Sequence, residues 1–396
     1  MKLITNVQEL EKILEELKAN PIFYAFGENK ENFHSSFWKW MFHENAKETI
    51  LILTGVNENE DLNLNNSFLE REQNASNSDK EHKYKARYDV LITINGIRKY
   101  IIETKVKSFP TLEQLRRIEY ATKDKHKIKF FCIHLYPSNT LENLKSTLNN
   151  WFFYDFESLS KRINIEKFSP IKRVYIEDYK KMLIGLSDLF RLFSFNQTRP
   201  NYDFVWKNAK NQEDNFDLQA KLEEYKLWEL FLHYRSKHFF YSLQKAINES
   251  EEISDKMKKL LVYESSINNK KSTISIGYIL QGDSDLVNYS LNEIDRRINK
   301  SNQSDTKIVG IQIEDEQFRQ FVLSKKDSEK LFQNMEKQGF FENCHDLQKD
   351  KLFCKYGDTF KYRYTKLQIS DFDGILYQVV QYFNKVERLE SNLLQI

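Results

Sequence analysis

Asp89, Glu103 and Lys105 stand in the order D-x13-E-x-K within one stretch of the first third of the chain. Two carboxylates can hold a hard divalent cation such as Mg²⁺, which keeps several waters and takes few protein ligands. Such a cation stabilises charge on a scissile phosphate and makes the attacking water more acidic. The ammonium of Lys105 can orient that water and offset phosphate charge, or act as a base if burial depresses its pKa. Together these groups suit hydrolysis of a phosphate ester, provided that the backbone brings them to one place.

The segment RYDVLITINGIRKYIIETKVKS predicts how it does so. Both arms are rich in β-branched and aromatic residues, and Asn95-Gly96 between them marks a β-hairpin. Glu103 and Lys105, two apart, share a face of the second arm, with Cβ atoms roughly 7 Å apart. A plain two-residue turn pairs Ile94 with Ile97 and sets Asp89 opposite Ile102, on the wrong face. A three-residue loop over 95–97 sets Asp89 opposite Glu103, and one over 94–96 makes them diagonal. A three-residue loop or a bulge is therefore expected, because one slipped residue flips a whole face. The same choice buries Val90, Ile92, Ile94, Tyr100 and Ile102 together on the other side.

Around the hairpin, apolar periodicity predicts helices over Gln8 to Leu17 and Glu31 to His43. A short strand is expected over Phe68 to Glu72, a helix from about Thr111, and a strand over 129–136. Helices including Tyr175 to Phe193 follow, and the stretch around Pro200 is the expected domain boundary. Beyond it the pattern predicts a helix over 219–247, strands near 273–280, 308–313 and 361–367, and helices near 327–338 and 372–392. The chain thus divides into residues 1–195 and a C-terminal α+β domain, 196–396.

Composition narrows the alternatives. The 396 residues include only ten glycines, and the closest pair, Gly277 and Gly282, is five apart. Dinucleotide fingerprints and nucleophile elbows need closer spacings. A phosphate-cradling loop of the Walker type needs that spacing followed by lysine, but Asp283 follows Gly282, and the apolar residues between the glycines read as strand. Three scattered cysteines make no disulfide framework and point to a reducing compartment. No signal-peptide core or membrane-length apolar run is present, so the cytoplasm is the expected location.

The D-x13-E-x-K set in a hairpin, followed by a helix beginning TLEQLRR and then a strand, resembles the PD-(D/E)XK nuclease superfamily. The likeness is greatest to bacterial members with an N-terminal Glu-x-x-His-Ser helix, here ENFHSSFWKWMF from Glu31, and it spans about residues 28–190. It implies an α/β fold with an αβββαβ restriction-endonuclease-like core, and a Mg²⁺- or Mn²⁺-dependent endonuclease. It also implies that Asp89, Glu103, Glu31 and the Thr104 carbonyl bind the metal, that Lys105 is the catalytic lysine, and that Gln114 belongs to the site. Bacterial defence against foreign DNA is the setting the resemblance suggests. Tyr88 replaces the proline that names the motif, and Ile118 stands where related nucleases often carry a tyrosine.

Each further residue has a plainer reading. Glu31 also reads as a first-turn acid that complements the helix dipole, and Glu70 and Glu72 compete for its duty. Thr111 to Gln114 forms a capping box, so Gln114 serves either capping alone or the site. His34 reads as a helix-packing residue or a phosphate contact. Cys132 with His134, and Cys344-His345 with Cys354, lack the spacing for structural zinc.

Charge distribution favours a polyanionic partner, and the resemblance makes DNA the expected one over RNA. Residues 1–75 carry 7 basic and 13 acidic groups, whereas residues 80–129 carry 14 basic and 6 acidic. Lys83, Lys85 and Arg87 lead into Asp89, and Lys107, Arg116 and Arg117 follow Lys105, as phosphate contacts would. The rival class is a catalytically silent nucleic-acid-binding or sensor protein with the same fold. The C-terminal domain is expected to sense an activating partner or ligand, bind substrate or make a homodimer, and the apolar stripe of its last helix either packs on its own domain or forms the dimer seam.

Overall fold

The computed structural model describes residues 6–26, 30–56, 64, 66–78, 83–106, 108–122, 125–136, 141–193, 210–211, 216–268, 271–300, 305–314, 317–342, 344, 353–367 and 372–394. The chain is a mixed α/β protein that divides into two units. One holds Thr5–Ser194 with Ala220–Tyr234, and the other holds Met1–Ile4, Phe195–Gln219 and Arg235–Ile396.

The first unit begins with helices α1 (Val7–Ala19), α2 (Pro21–Phe26), α3 (Lys30–Glu44) and α4 (Ala46–Thr54). Asn6 and Asn45 cap α1 and α4 by accepting the Glu9 and Glu48 N–H groups. Strands β1 (Phe68–Ser78), β2 (Lys83–Ile94) and β3 (Ile97–Lys105) follow, then helix α5 (Leu112–Ala121) and strand β4 (Lys129–His134). Helix α6 (Glu142–Thr147), strand β5 (Trp151–Asp155), α7 (Phe156–Arg162) and the long α8 (Pro170–Phe193) complete the run. The sheet order is β1-β2-β3-β4-β5, with β1 to β3 antiparallel and β4 and β5 parallel to β3.

Helix α5 closes one face of this sheet. Its Leu115, Ile118 and Ala121 pack on Tyr88, Leu91, Ile101, Phe130, Cys132 and Trp151. Ile118 is therefore a core residue, which accounts for the apolar side chain at this position, while Tyr120 is exposed. Arg71 on β1 donates to Ser35 Oγ at 3.1 Å and ties the sheet to α3. At the centre of the helical layer, the Tyr179 hydroxyl of α8 accepts the Trp38 indole N–H at 2.7 Å and shares a hydrogen bond of 2.9 Å with His34 Nδ1.

Strand β1 is twice the expected length and forms, with the outer part of β2, an arm that runs past the end of β3. The segment expected as one helix over 219–247 is broken into α9 (Leu218–Glu224) and α10 (Trp228–Glu249), where Lys226 adopts a left-handed φ of 55°. Residues Lys210–Asn211 (β6) and Phe216–Asp217 (β7) form a two-stranded ladder before α9.

The second unit is built on a six-stranded antiparallel sheet. Helix α11 (Asp255–Lys258) precedes strands β8 (Leu261–Asn268) and β9 (Lys271–Gln281), and α12 (Leu291–Lys300) precedes β10 (Lys307–Glu314) and β11 (Gln317–Leu323). After α13 (Ser328–Lys337) come β12 (Cys354–Tyr356), β13 (Phe360–Lys366) and α14 (Phe372–Leu394). Gly277 lies inside β9 opposite Gly310 of β10. A Cβ on Gly277 would come within 2.9 Å of Leu291, so this glycine lets α12 approach the sheet and belongs to no phosphate loop. The apolar stripe of α14, including Ile375, Val379, Phe383 and Val386, is buried. Cys132, Cys344 and Cys354 are free thiols. No helix among the described residues is long and apolar enough to cross a membrane.

Candidate functional site

The site lies where β2 and β3 part. Asn95 (φ 51°) and Gly96 (φ 77°) form a two-residue turn that pairs Ile94 with Ile97. The register then shifts, because Thr93 faces Arg98 and Ile92 faces Tyr100, which leaves Lys99 as an extra residue. This bulge supplies the parity change that a plain two-residue turn lacks. Pairing resumes through Val90 opposite Ile102, and one step further in this register Asp89 faces Glu103. Val90, Ile92, Ile94, Tyr100 and Ile102 are all buried, as the alternation required.

Past Ile102 the Asp89 side chain takes the place of a backbone partner. Its Oδ2 accepts the Thr104 N–H at 2.7 Å. The N–H and C=O of a strand residue lie on the same edge, so the Thr104 carbonyl faces the same fork as the Asp89 carboxylate. The neighbouring Lys105 carbonyl, on the other edge, accepts the Leu135 N–H at 3.0 Å.

Glu103 and Lys105 project together from β3 and form a buried ion pair, with Lys105 Nζ 2.8 Å from Glu103 Oε1. Their side chains are only 4% and 7% exposed, respectively, so each charge depends on its local partners. Gln114 supplies one. Thr111 accepts the Gln114 N–H at 3.2 Å and caps α5, but the Gln114 amide does not complete the capping box. Its Nε2 donates instead to Glu103 Oε1 at 2.8 Å. Capping and site duties are thus divided between Thr111 and Gln114.

Hard oxygen donors therefore gather at the fork: the Asp89 and Glu103 carboxylates and the Thr104 carbonyl. This set fits Mg²⁺ or Mn²⁺, which would take its remaining positions from water. Among the described residues, no group of three or more His, Cys, Asp and Glu side chains is placed to hold a metal. Glu31 lies in the first turn of α3, but its side chain is outside the described residues. Glu70 and Glu72 lie on β1, and Glu72 pairs with Arg87 through Oε2 and Nη2 at 2.5 Å.

A cleft of about 680 Å³ adjoins the fork, lined by Asn74, Lys85, Arg87, Arg117, Gln114 and apolar neighbours. Three cations thus converge on the cleft that Gln114 shares with the carboxylate site. Arg116 is exposed beside them, whereas Lys107 and the side chain of Lys83 are outside the described residues. The Glu72–Arg87 pair depends on cross-strand register, so no spacing along the chain signals it.

Burial keeps the thiol and two imidazoles of this unit uncharged. Burial and the adjacent Glu103 push the Cys132 thiol up, so it stays protonated. Burial holds His134 down to about 4, and its Nδ1–H donates to the Tyr136 carbonyl at 2.7 Å. His34, held by burial down to about 3, is the neutral packing partner of Tyr179. Comparison with protein families, with curated proteins and with solved structures returned no match.

Proposed function

We propose that the chain is a Mg²⁺- or Mn²⁺-dependent nuclease with a restriction-endonuclease-like core, acting on DNA in preference to RNA. The observation that carries this is the fork itself, where Asp89 is bound to the Thr104 N–H and Glu103 pairs with Lys105 at 2.8 Å. The sequence of three antiparallel strands, a helix and a strand parallel to the third supports the same core. Bound at Asp89, Glu103 and the Thr104 carbonyl, the cation would offset charge on the scissile phosphate and lower the pKa of the attacking water. Lys105 Nζ, fixed by Glu103, orients that water and adds positive charge beside the phosphate. Gln114 keeps Glu103 in place, and Lys85, Arg87 and Arg117 hold the flanking backbone.

The test incubates the purified chain with plasmid, linear duplex, single-stranded DNA and RNA, with and without Mn²⁺. Metal-dependent products that vanish in Asp89→Ala, Glu103→Ala and Lys105→Ala are expected. Full activity in any of the three variants overturns the assignment. Binding without products favours the silent nucleic-acid-binding class.

A further inference from the structure

Glu72 sits in the interior of β1 with φ 53°, a conformation that a glutamate rarely adopts. On either side of it, Arg71 faces Val90 and Gln73 faces Tyr88, so Glu72 lies across from Asp89. Glu72, Asp89 and Glu103 therefore occupy one level across three strands, the level at which β2 leaves β3.

Arg87 faces Asn74 in the β1–β2 ladder. Its partner Glu72 is the diagonal neighbour on the catalytic side, and the 2.5 Å contact draws the guanidinium toward the Asp89 level and away from the tip of the arm. Arg87 also lines the cleft that reaches Gln114. Its side chain is 59% exposed, and a pair so solvated adds little to folding. A left-handed glutamate meanwhile strains the backbone. Stability does not account for the arrangement. Aim does, because a guanidinium held at one nitrogen keeps other N–H groups for a phosphate.

We propose that Glu72 is a positioning residue for Arg87, setting its guanidinium against the nucleic-acid phosphate next to the one cleaved at the Asp89–Glu103–Lys105 centre. This rests on the nuclease reading above. Glu72→Gly separates the carboxylate from the backbone, since glycine takes positive φ without strain. It also removes a negative charge paired with a cation of the basic cleft, which favours non-specific phosphate binding. Aim and affinity should therefore move in opposite directions.

The experiment compares wild type, Glu72→Gly, Arg87→Ala, the double variant and Lys105→Ala. Binding of a fluorescein-labelled DNA duplex is measured in Ca²⁺, and cleavage at saturating duplex in Mn²⁺. Glu72→Gly should bind as tightly as wild type or more tightly, yet have kcat lowered about tenfold, the scale of one charge-assisted hydrogen bond. Arg87→Ala should lose both binding and kcat, and the double variant should be no slower than Arg87→Ala. Wild-type kcat in Glu72→Gly, or effects that multiply in the double variant, would overturn the proposal while leaving the nuclease reading intact. A wild type that shows no Lys105-dependent cleavage sinks both. Melting curves establish that each variant is folded.

Discussion

Asp89 Oδ2 accepts the Thr104 N–H at 2.7 Å, so a side chain fills the place of a strand partner at the point where β2 and β3 separate. One carboxylate oxygen thereby fixes the backbone of the residue between Glu103 and Lys105. The charge of Asp89 and its shape can be tested apart. Asp89→Asn can still accept this hydrogen bond through its amide oxygen, so stability should change little. Its metal-dependent cleavage should nevertheless fall roughly a hundredfold or more. Cleavage rates and thermal melting of the one variant check both halves, and unaltered cleavage would mean that the charge at 89 has no part in the chemistry.

Gln114 has a comparably separable duty. Its Nε2 donates to Glu103 Oε1, the same oxygen that Lys105 approaches. Gln114→Leu keeps the Thr111 cap on α5 but leaves the buried carboxylate one donor poorer. A hydrogen bond to a charged group contributes about 1.5–3 kcal/mol, so the melting temperature should drop measurably. Cleavage should fall as well, since Glu103 loses part of its orientation. Thr111→Ala should cost about 1 kcal/mol through the cap, with a smaller effect on catalysis. Equal catalytic losses in the two variants would show that Gln114 acts only through the helix end.

The Asp-Glu-Lys constellation was legible because its parts are local. Asn95-Gly96 marks the turn, and alternation of Val90, Ile92 and Ile94 with polar neighbours marks the faces. The parity conflict between the turn and Asp89 demanded an irregularity, and the extra Lys99 supplies it. What escaped the sequence was set by tertiary partners. The outer half of β1 is polar, NASNS, and is a strand only because β2 pairs with it. Helix α12 is legible after all, since Leu291, Ile294 and Ile298 stand at helical spacing. Strand β11, QFRQFVL, instead breaks the alternation that marks a half-buried strand and is one only because β10 and β13 pair with it. The Glu72–Arg87 pair joins residues on separate strands, and no spacing along the chain announces it.

Acid should weaken the fold earlier than ordinary carboxylate titration would. Burial depresses His34 to about 3 and His134 to about 4, and burial with the nearby Arg235 depresses His238 to about 4. The unfolded chain protonates these imidazoles near their ordinary value of 6.5, whereas the folded chain resists. Their stabilising contribution is therefore complete above pH 6.5 and is lost as pH falls from there toward 4 and 3. Each such histidine contributes a slope approaching about 1.4 kcal/mol per pH unit inside that window. Melting temperature should decline between pH 6.5 and 5, and His34→Phe should flatten the decline for the unit that holds it. A melting temperature constant over that range would count against buried neutral histidines.

Gly310 offers a test of the second unit that touches no candidate catalytic group. It lies in β10 between Gly277 of β9 and Phe321 of β11. A Cβ there would collide with the Ile276 carbonyl oxygen and come 2.6 Å from the Phe321 ring. Backbone cannot yield as a flexible side-chain tip would, so the sheet itself must shift. Phe321 is fully buried with Ile294, Ile298 and Ile308, which leaves its ring little room to move. Gly310→Ala should destabilise this unit by about 3 kcal/mol, at the upper end of overpacking in a dense core. Gly357, at φ 63° with nothing within 4 Å of an added Cβ, gives the contrast. Gly357→Asn should cost far less, because asparagine accepts left-handed backbone and meets open space. Denaturant unfolding of the two variants decides the point: equal losses would show that crowding at the sheet centre is not what makes Gly310 necessary.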